Sequence, residues 1–377
     1  MKQAVYITDC AVCCALGDDI ATVWQRLLSG ESGITPLRRF DCRNYISAVA
    51  ASVAGLAVDE SGSRFYPLLE RVLTRLEPLP PHTRLLSATT KGAVDLLEQA
   101  VRNDNSVPAA AAPHACADYI ARRLGLADNG ININAACASS TLALARGAEL
   151  IAAGNAEVVL VCAADIVSEF VFSGFSSLQA LAADSCRPFD GDRDGLTLGE
   201  GAAAVVLMSA AAARRYRRRR LGRLRGWGSA NDANHITAPA RDGSGLVRAV
   251  RQALVCAAAQ GSEVSAISAH GTGTVYNDAM EMCAFRQLFP GRHIPTASIK
   301  GATGHTLAAA GALEVALALC SLDQGLVPPT CGLRRVDDAA DGWVAAAPQP
   351  FATDGLLLST NSGFGGVNAA LLLQKEE

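Results

Sequence analysis

An α/β fold with mostly buried sheets is predicted by three features of the sequence. Strand-like and helix-like segments alternate through most of its 377 residues. Two of the strand-like runs, 157–163 and 202–208, are continuously apolar apart from the initial Glu157, as expected of strands covered on both faces. The composition, 50% hydrophobic and 18% charged, supplies ample apolar surface for a large core.

In chain order, residues 4–14 read as a buried strand and 20–28 as a helix ending at Gly30. Residues 64–76 form a helix compressed against Pro78-Leu79-Pro80-Pro81, and 93–102 a further helix. Residues 131–136 are a short strand running into Cys137 and then a helix over 139–153. The strands 157–163 and 202–208 follow. In the second half, strand 264–269 delivers His270, and helices cover 278–288 and 308–322. Strands 355–359 and 367–373 close the chain, separated by a loop, Asn361-Ser362-Gly363-Phe364-Gly365-Gly366. No linker and no internal repeat is visible.

The formal charge of −3 gives no reason to expect nucleic acid as a partner. The twelve cysteines are scattered through a core-forming chain and suggest small buried hydrophobes, with neither a disulfide framework nor a zinc site. No run of about eighteen uncharged apolar residues marks a membrane span. The apolar N-terminus is interrupted by Asp9 and reads as a core strand, so a reducing cytoplasm is the expected location.

Asn134-Ala135-Ala136-Cys137-Ala138-Ser139-Ser140 sits where a strand gives way to an alanine-rich helix. A thiol there would face the positive end of the helix dipole, which favours the thiolate, and its small neighbours allow a sharp turn. The same segment is equally compatible with one more buried cysteine. His270, followed by Gly271-Thr272-Gly273-Thr274, and His305, preceded by Lys300-Gly301-Ala302-Thr303-Gly304, are two of only six histidines. Each stands at a glycine-rich end of a core element, as working residues do, although either alone would pass for a turn histidine. Neither shows metal-ligand spacing. Beside a thiolate, two neutral imidazoles could donate hydrogen bonds to a developing enolate. The loop Gly363-Phe364-Gly365-Gly366 could present N–H groups to an oxyanion, or be a structural hairpin.

With Arg187-Pro188-Phe189-Asp190, Asp192-Arg193-Asp194-Gly195 and Gly199-Glu200-Gly201, these segments resemble the elongating β-ketoacyl-[acyl-carrier-protein] synthases, in the family's order and near its spacings. The resemblance covers nearly the whole chain and is strongest from about Ile131 onward. It implies a thiolase-like five-layered α-β-α-β-α fold of two similar halves, 1–208 carrying Cys137 and 209–377 carrying His270 and His305. It implies an acyltransferase in which Cys137 takes the acyl chain as a thioester. His270 and His305, with Lys300, would assist decarboxylation of a malonyl thioester, and the enolate would attack the acyl group. The backbone N–H groups of Cys137 and Phe364 would form the oxyanion hole, with Phe364 also a gate. Thr272 and Thr274 would bind the pantetheine arm, and Asp278 and Glu314 would support the site. The implied partners are acyl carrier protein and a second subunit, in a homodimer or a heterodimer. No metal or other cofactor is implied beyond the phosphopantetheine that carries the substrates.

The chain departs from the family upstream of Cys137, where 64–76 and 107–113 are abbreviated and Leu86 to Gly92 replaces a glycine-rich strand end. Members trimmed in this way resemble subunits of type II polyketide and aryl polyene systems, alongside fatty acid biosynthesis. The rival reading is therefore a chain-length-factor-like partner that shapes the pocket without condensing. A degradative thiolase fits less well, because no cysteine follows Cys331. The arginine run from Arg214 to Arg225 could dock an acidic carrier protein or be a solvated helix end and loop. Arg187 and Arg193 have the same two readings, carrier contact or pairing with Asp190, Asp192 or Asp194.

Overall fold

The computed structural model describes residues 3–376. In chain order, the first half runs β1 (Val5–Cys14), α1 (Ile20–Leu28), a short ribbon of β2 (Ile34–Pro36) and β3 (Val49–Ala51), and α2 (Phe65–Leu73). It continues through β4 (Arg84–Ala88), α3 (Val94–Arg102), α4 (Ala115–Leu124), β5 (Ile131–Asn132) and α5 (Ser139–Ala152). Next come β6 (Val158–Asp165), α6 (Glu169–Ser177) and β7 (Gly201–Ser209). The second half holds α7 (Ala210–Arg215), β8 (Gly222–Asn231), α8 (Ser244–Ala257), β9 (Val264–Ser268), α9 (Val275–Leu288) and β10 (Thr296–Ala297). It ends with α10 (Lys300–Thr303), α11 (Ala310–Gln324), a ribbon of β11 (Leu326–Val327) and β12 (Gln349–Pro350), β13 (Leu356–Gly363) and β14 (Val367–Gln374).

The strand order β10-β9-β13-β14-β8-β1-β7-β6-β4-β5 reads as two five-stranded sheets of one design, joined where Val5, Tyr6 and Ile7 of β1 pair with Leu224, Arg223 and Gly222 of β8. Outward from that seam, each half has two antiparallel pairings and then two parallel ones. Corresponding strands also follow in the same chain order. This repeat of topology is one that the sequence does not display.

Three apolar clusters make the layers. In β6, Val159, Val161 and Ala163 face a central cluster with α5 and α11, while Val158, Leu160, Cys162 and Ala164 face an outer one with α2 and α4. The period-2 alternation thus puts apolar side chains on both faces, which is why the run looks unbroken in sequence. A third cluster packs α8 and α9 onto β9, β13 and β14. The layers are therefore helix, sheet, the α5–α11 pair, sheet, helix, and the chain has the thiolase-like α/β fold. Leu307–Gln324, the one segment among the described residues long and apolar enough to cross a membrane, is 83% buried in the central layer.

Several elements differ from expectation. The strand at 131–136 stops at Asn132, which pairs with Ser87. Beyond it the Asn132 and Asn134 amides donate to the Thr89 and Thr90 carbonyls, and the chain turns away from the sheet. The strand at 355–359 continues to Gly363, paired with Val367, so Asn361 and Ser362 belong to a strand and only 364–366 form the turn. Their polar side chains suggested loop, but both are buried and hydrogen-bonded.

The arginine run is also divided. Arg214 and Arg215 end α7, whereas Arg223 and Arg225 lie on β8. Arg215 pairs with Glu157, Arg218 with Glu77 and Arg220 with Glu376, so much of the run is tied to the body of the protein. β8 was hidden by its glycines. A Cβ on Gly226 or Gly228 would stand 2.2 Å from the Ala253 or Ala249 carbonyl oxygen, so these residues let α8 lie directly on the strand. Cys10 and Cys13 have a CxxC spacing that the sequence reading overlooked. On β1 they face opposite sides, Cys10 toward the central cluster and Cys13 within the outer one, so they cannot share a metal.

Candidate active site

Cys137 is delivered by the bend between β5 and α5. Ala136 just before it has φ +50°, a left-handed conformation that costs a non-glycine residue about 1 kcal/mol or more. Ser139 holds the bend, its hydroxyl accepting from the Ala135 N–H at 2.9 Å and donating to the Ala136 carbonyl at 2.5 Å. The sulfur thus lies at the N-terminus of a 14-residue helix.

His270 follows β9 at the C-terminal edge of the second sheet. His305 follows Gly304 and is anchored by its backbone, N–H to the Thr197 carbonyl at 2.7 Å and carbonyl to the Gly199 N–H at 2.9 Å. The two rings stand edge to face, centroids 5.2 Å apart. One ligand atom from each of Cys137, His270 and His305 lies within 4.8 Å of the others. Residues 137, 270 and 305 of the sequence therefore meet at one point.

Such a cluster has the proximity of a metal site, so linear spacing was no ground for excluding one. The hydrogen bonds decide the chemistry instead. His305 Nδ1 accepts from the Leu307 N–H at 3.3 Å, and His270 Nδ1 faces the Asn361 amide nitrogen at 3.2 Å. With Nδ1 an acceptor in each ring, the proton assigned to each neutral imidazole is on Nε2. Each then offers the site an N–H donor and no lone pair for a cation. His305 Nε2 is buried with no hydrogen-bond partner among the described residues, as suits a donor aimed at a substrate.

Burial sets the charge state. It holds both imidazoles well below their ordinary value, assisted by the Lys300 charge and, for His270, by His305, so both are neutral near pH 7. Burial also pushes the Cys137 thiol up to about 11, against the lowering effects of Lys300, Lys91 and a hydrogen bond from the Phe364 N–H. This corrects the expectation of a favoured thiolate. The helix terminus and neighbouring cation are present, but loss of solvent outweighs them.

Lys300 does not line the cavity. Its ammonium donates to Glu314 Oε1 and to the His270 carbonyl, both at 2.5 Å, and is buried behind the histidine. Glu314 Oε2 in turn accepts from the Asn361 amide at 2.8 Å. Burial raises the Glu314 carboxyl, and Lys300 and Asn361 oppose the rise. Asp278 accepts from the Phe189, Thr272 and Gly273 N–H groups. Glu281, one turn further along α9, accepts from the His270 and Gly271 N–H groups at 2.8 and 2.6 Å. Two buried carboxylates thus hold the 270–274 turn in place. Glu281 and Asn361 are functional-site residues that sequence reasoning missed. The available signals were an acidic residue three positions after Asp278 on one helix face, and an amide beside Thr360 in a strand.

A cavity of about 300 Å³ leads from solvent to Cys137, His270 and His305. Thr272, Thr274 and Tyr276 line one wall and Phe364 another. Phe175 of α6 stacks on Phe364 with ring centroids 5.6 Å apart. Of the residues expected at the site, Cys137, His270, His305, Thr272, Thr274 and Phe364 line this cavity, while Lys300, Asp278 and Glu314 stand behind it. Arg193 is 7% exposed and pairs with Asp337 at 2.7 Å, and Arg187 reaches the Asp192 carbonyl. Arg187 also approaches Asp194 at 3.7 Å, one of the expected partners, whereas the carboxylate that Arg193 meets, Asp337, is not among them.

Comparison with known proteins agrees with this arrangement. The β-ketoacyl synthase N-terminal domain matches residues 83–213 and the C-terminal domain residues 221–334. Nodulation protein E of Rhizobium meliloti (strain 1021) is 29% identical over 405 residues, covering 100% of both chains. The 3-oxoacyl-[acyl-carrier-protein] synthase 2 of Coxiella burnetii (strain RSA 493 / Nine Mile phase I) is 27% identical over 414 residues, covering 99% of each. Among solved structures, the ishigamide ketosynthase/chain length factor superposes with a TM-score of 0.91 at 27% identity over 100% of both chains. A ketosynthase in complex with its chain length factor from Xenorhabdus doucetiae gives 0.87 at 28%, over 99% of this chain and 98% of that one.

Proposed function

The chain belongs to the β-ketoacyl synthase family of condensing acyltransferases, and from that premise we propose that it joins a Cys137-bound acyl chain to a malonyl unit by decarboxylative Claisen condensation. The observation that carries the reading is one nucleophile flanked by two neutral imidazoles, both oriented as Nε2–H donors, at the end of an open cavity.

In the first half-reaction Cys137 Sγ attacks the carbonyl of an acyl thioester. The oxyanion accepts from the N–H groups of Cys137 and Phe364. The C–S bond to the carrier breaks, and the departing thiolate takes the proton that Cys137 loses. In the second half-reaction the thioester carbonyl of the malonyl unit accepts from His270 and His305. Its C–CO₂ bond breaks, the electron pair forms an enolate held by those donors, and carbon dioxide leaves. The enolate carbon attacks the acyl–Cys137 carbonyl, a C–C bond forms, and the C–S bond to Cys137 breaks. Cys137 leaves as thiolate and takes up one proton from solvent. No electrons are exchanged with a cofactor, and none is required.

Thr272 and Thr274 would hydrogen-bond the amide-rich arm of a carrier-bound substrate, a reading supported by both lining the cavity that holds Cys137. We assign acyl carrier protein as the substrate carrier and a second subunit, identical or paralogous, as the assembly partner. The abbreviated segments before Cys137 and the likeness to a ketosynthase in complex with its chain length factor favour a paralogous partner. A reducing cytoplasm suits the free thiol at position 137.

The test is intact mass after incubation with acyl carrier protein bearing an acyl group, with Cys137→Ala as control. An acyl adduct on the wild type alone supports the condensing reading. No adduct on the folded protein, with candidate partners present, would instead make this chain a non-condensing subunit of chain-length-factor type.

A further inference from the structure

The family assignment does not explain why His270 presents a proton, rather than a lone pair, to the cavity. We propose that Asn361 is a positioning residue that fixes His270 as the Nε2–H tautomer, and that Lys300 and Glu314 act on the reaction through it. The proposal rests on the condensing function set out above and deepens it.

The orientation of the Asn361 amide is determined by what surrounds it. Glu314 Oε1 is engaged by the Lys300 ammonium at 2.5 Å, leaving Oε2 as an acceptor 2.8 Å from the amide. An acceptor must face the NH₂ group. The amide oxygen then accepts the Thr141 hydroxyl proton on the other side. Turning the amide over would set its oxygen against the Glu314 carboxylate, so the carboxylate fixes this orientation and the Thr141 hydroxyl, able to donate or accept, conforms to it. The second hydrogen of the same NH₂ group points at His270 Nδ1, 3.2 Å away. Nδ1 must therefore hold a lone pair, and the ring proton is on Nε2, toward Cys137 and the cavity.

His305 reaches the same tautomer by another route, the Leu307 backbone N–H, which no side-chain substitution removes. Asn361 is thus the replaceable one of the two tautomer-setting donors. The charge of Lys300 reaches the ring without touching it, in the order Lys300, Glu314, Asn361, His270, while the Lys300 contact with the His270 carbonyl holds the backbone of the same residue. Donating to an enolate oxygen requires Nε2–H. Transfer of an acyl group to Cys137 requires the Cys137 and Phe364 backbone donors and does not use the His270 proton.

Asn361→Asp replaces the donor by an acceptor and draws the ring proton to Nδ1. Decarboxylation of malonyl carrier protein, followed as carbon dioxide release, is expected to fall about a hundredfold or more. Acylation of Cys137, followed by intact mass, should change far less. Asn361→Ala removes the donor without adding charge beside Glu314, and should show the same split to a smaller degree. Because either variant could fold poorly, the wild type is also tested directly. Imidazole ¹⁵N spectra of protein labelled in histidine distinguish Nε2–H from Nδ1–H, with His270→Gln used to assign the signal. A wild-type His270 protonated at Nδ1 would overturn the proposal, as would equal losses of acylation and decarboxylation in folded Asn361→Asp. If the wild type fails to acylate at all, the condensing function falls, and the spectrum still decides the role of Asn361.

Discussion

Lys300 and Glu314 form an ion pair at 2.5 Å, each side chain only 1% exposed, directly behind His270. Such a pair offers little net stability over an apolar substitute, but breaking it strands a charge in the core. Lys300→Met is expected to destabilise the protein by about 3–5 kcal/mol. Lys300→Met combined with Glu314→Gln should recover much of that loss, as measured by denaturant unfolding. Condensation should remain lost in both, because the support behind His270 is gone. A double variant no more stable than the single one would show that the pair is not coupled.

The raised thiol of Cys137 sets a pH dependence. With its value pushed up to about 11 by burial, the thiolate is a small fraction near pH 7 and increases as pH rises. Alkylation of Cys137 by iodoacetamide should therefore quicken about tenfold per pH unit between pH 7 and 9, with no plateau. A plateau near pH 7 would mean that the helix terminus and Lys300 outweigh burial after all.

His305 contributes to stability in a definite pH window. Its folded value is depressed, so the unfolded chain binds a proton more readily, and folding loses free energy as pH falls below about 6.5. His305→Asn keeps an acceptor for the Leu307 N–H without a titrating ring. Its unfolding temperature relative to the wild type should rise between pH 7 and 5, by up to about 1.4 kcal/mol of stability per pH unit below 6.5. A constant difference would indicate that the buried imidazole binds a proton as readily as it does in the unfolded chain.

Gly311 of α11 lies directly against Thr141 of α5. A Cβ there would lie 2.0 Å from Thr141 Oγ1 and 2.8 Å from Asn361 Oδ1. Gly311→Ala should cost about 1–3 kcal/mol through overpacking and should disturb the amide that holds His270. Adding Thr141→Ala should relieve part of the cost, a coupling readable in a double-mutant cycle. If the two losses simply add, the helices are not pressed together at this point.

The cysteine and the two histidines that meet in the structure were legible as candidates because each lies next to its own local signal. Cys137 stands between a strand and an alanine-rich helix, and His270 and His305 lie beside glycines that permit the turns placing them. The unbroken apolar runs identified β6 and β7, because strands buried on both faces leave no polar positions. Less was legible where a residue's environment is assembled from distant segments. β8 reads as an arginine- and glycine-rich stretch, because its glycines answer to α8, some twenty-five residues onward, rather than to their sequence neighbours.

By itself, then, the sequence determined the α/β class, which depends on local composition and periodicity, while its motifs named the candidate residues only through their resemblance to a family. Tertiary structure decided what those residues can do. It brought a cysteine and two histidines within 4.8 Å, placed Lys300 behind the site rather than in it, and set Asn361 against a histidine 91 positions away. Protonation state and tautomer follow from burial and hydrogen-bond partners. The partner of His305 is local, the Leu307 N–H, but those of His270 come from separate segments at Lys300, Glu314 and Asn361, and Cys137 comes from the other half, so no short stretch of sequence contains them together.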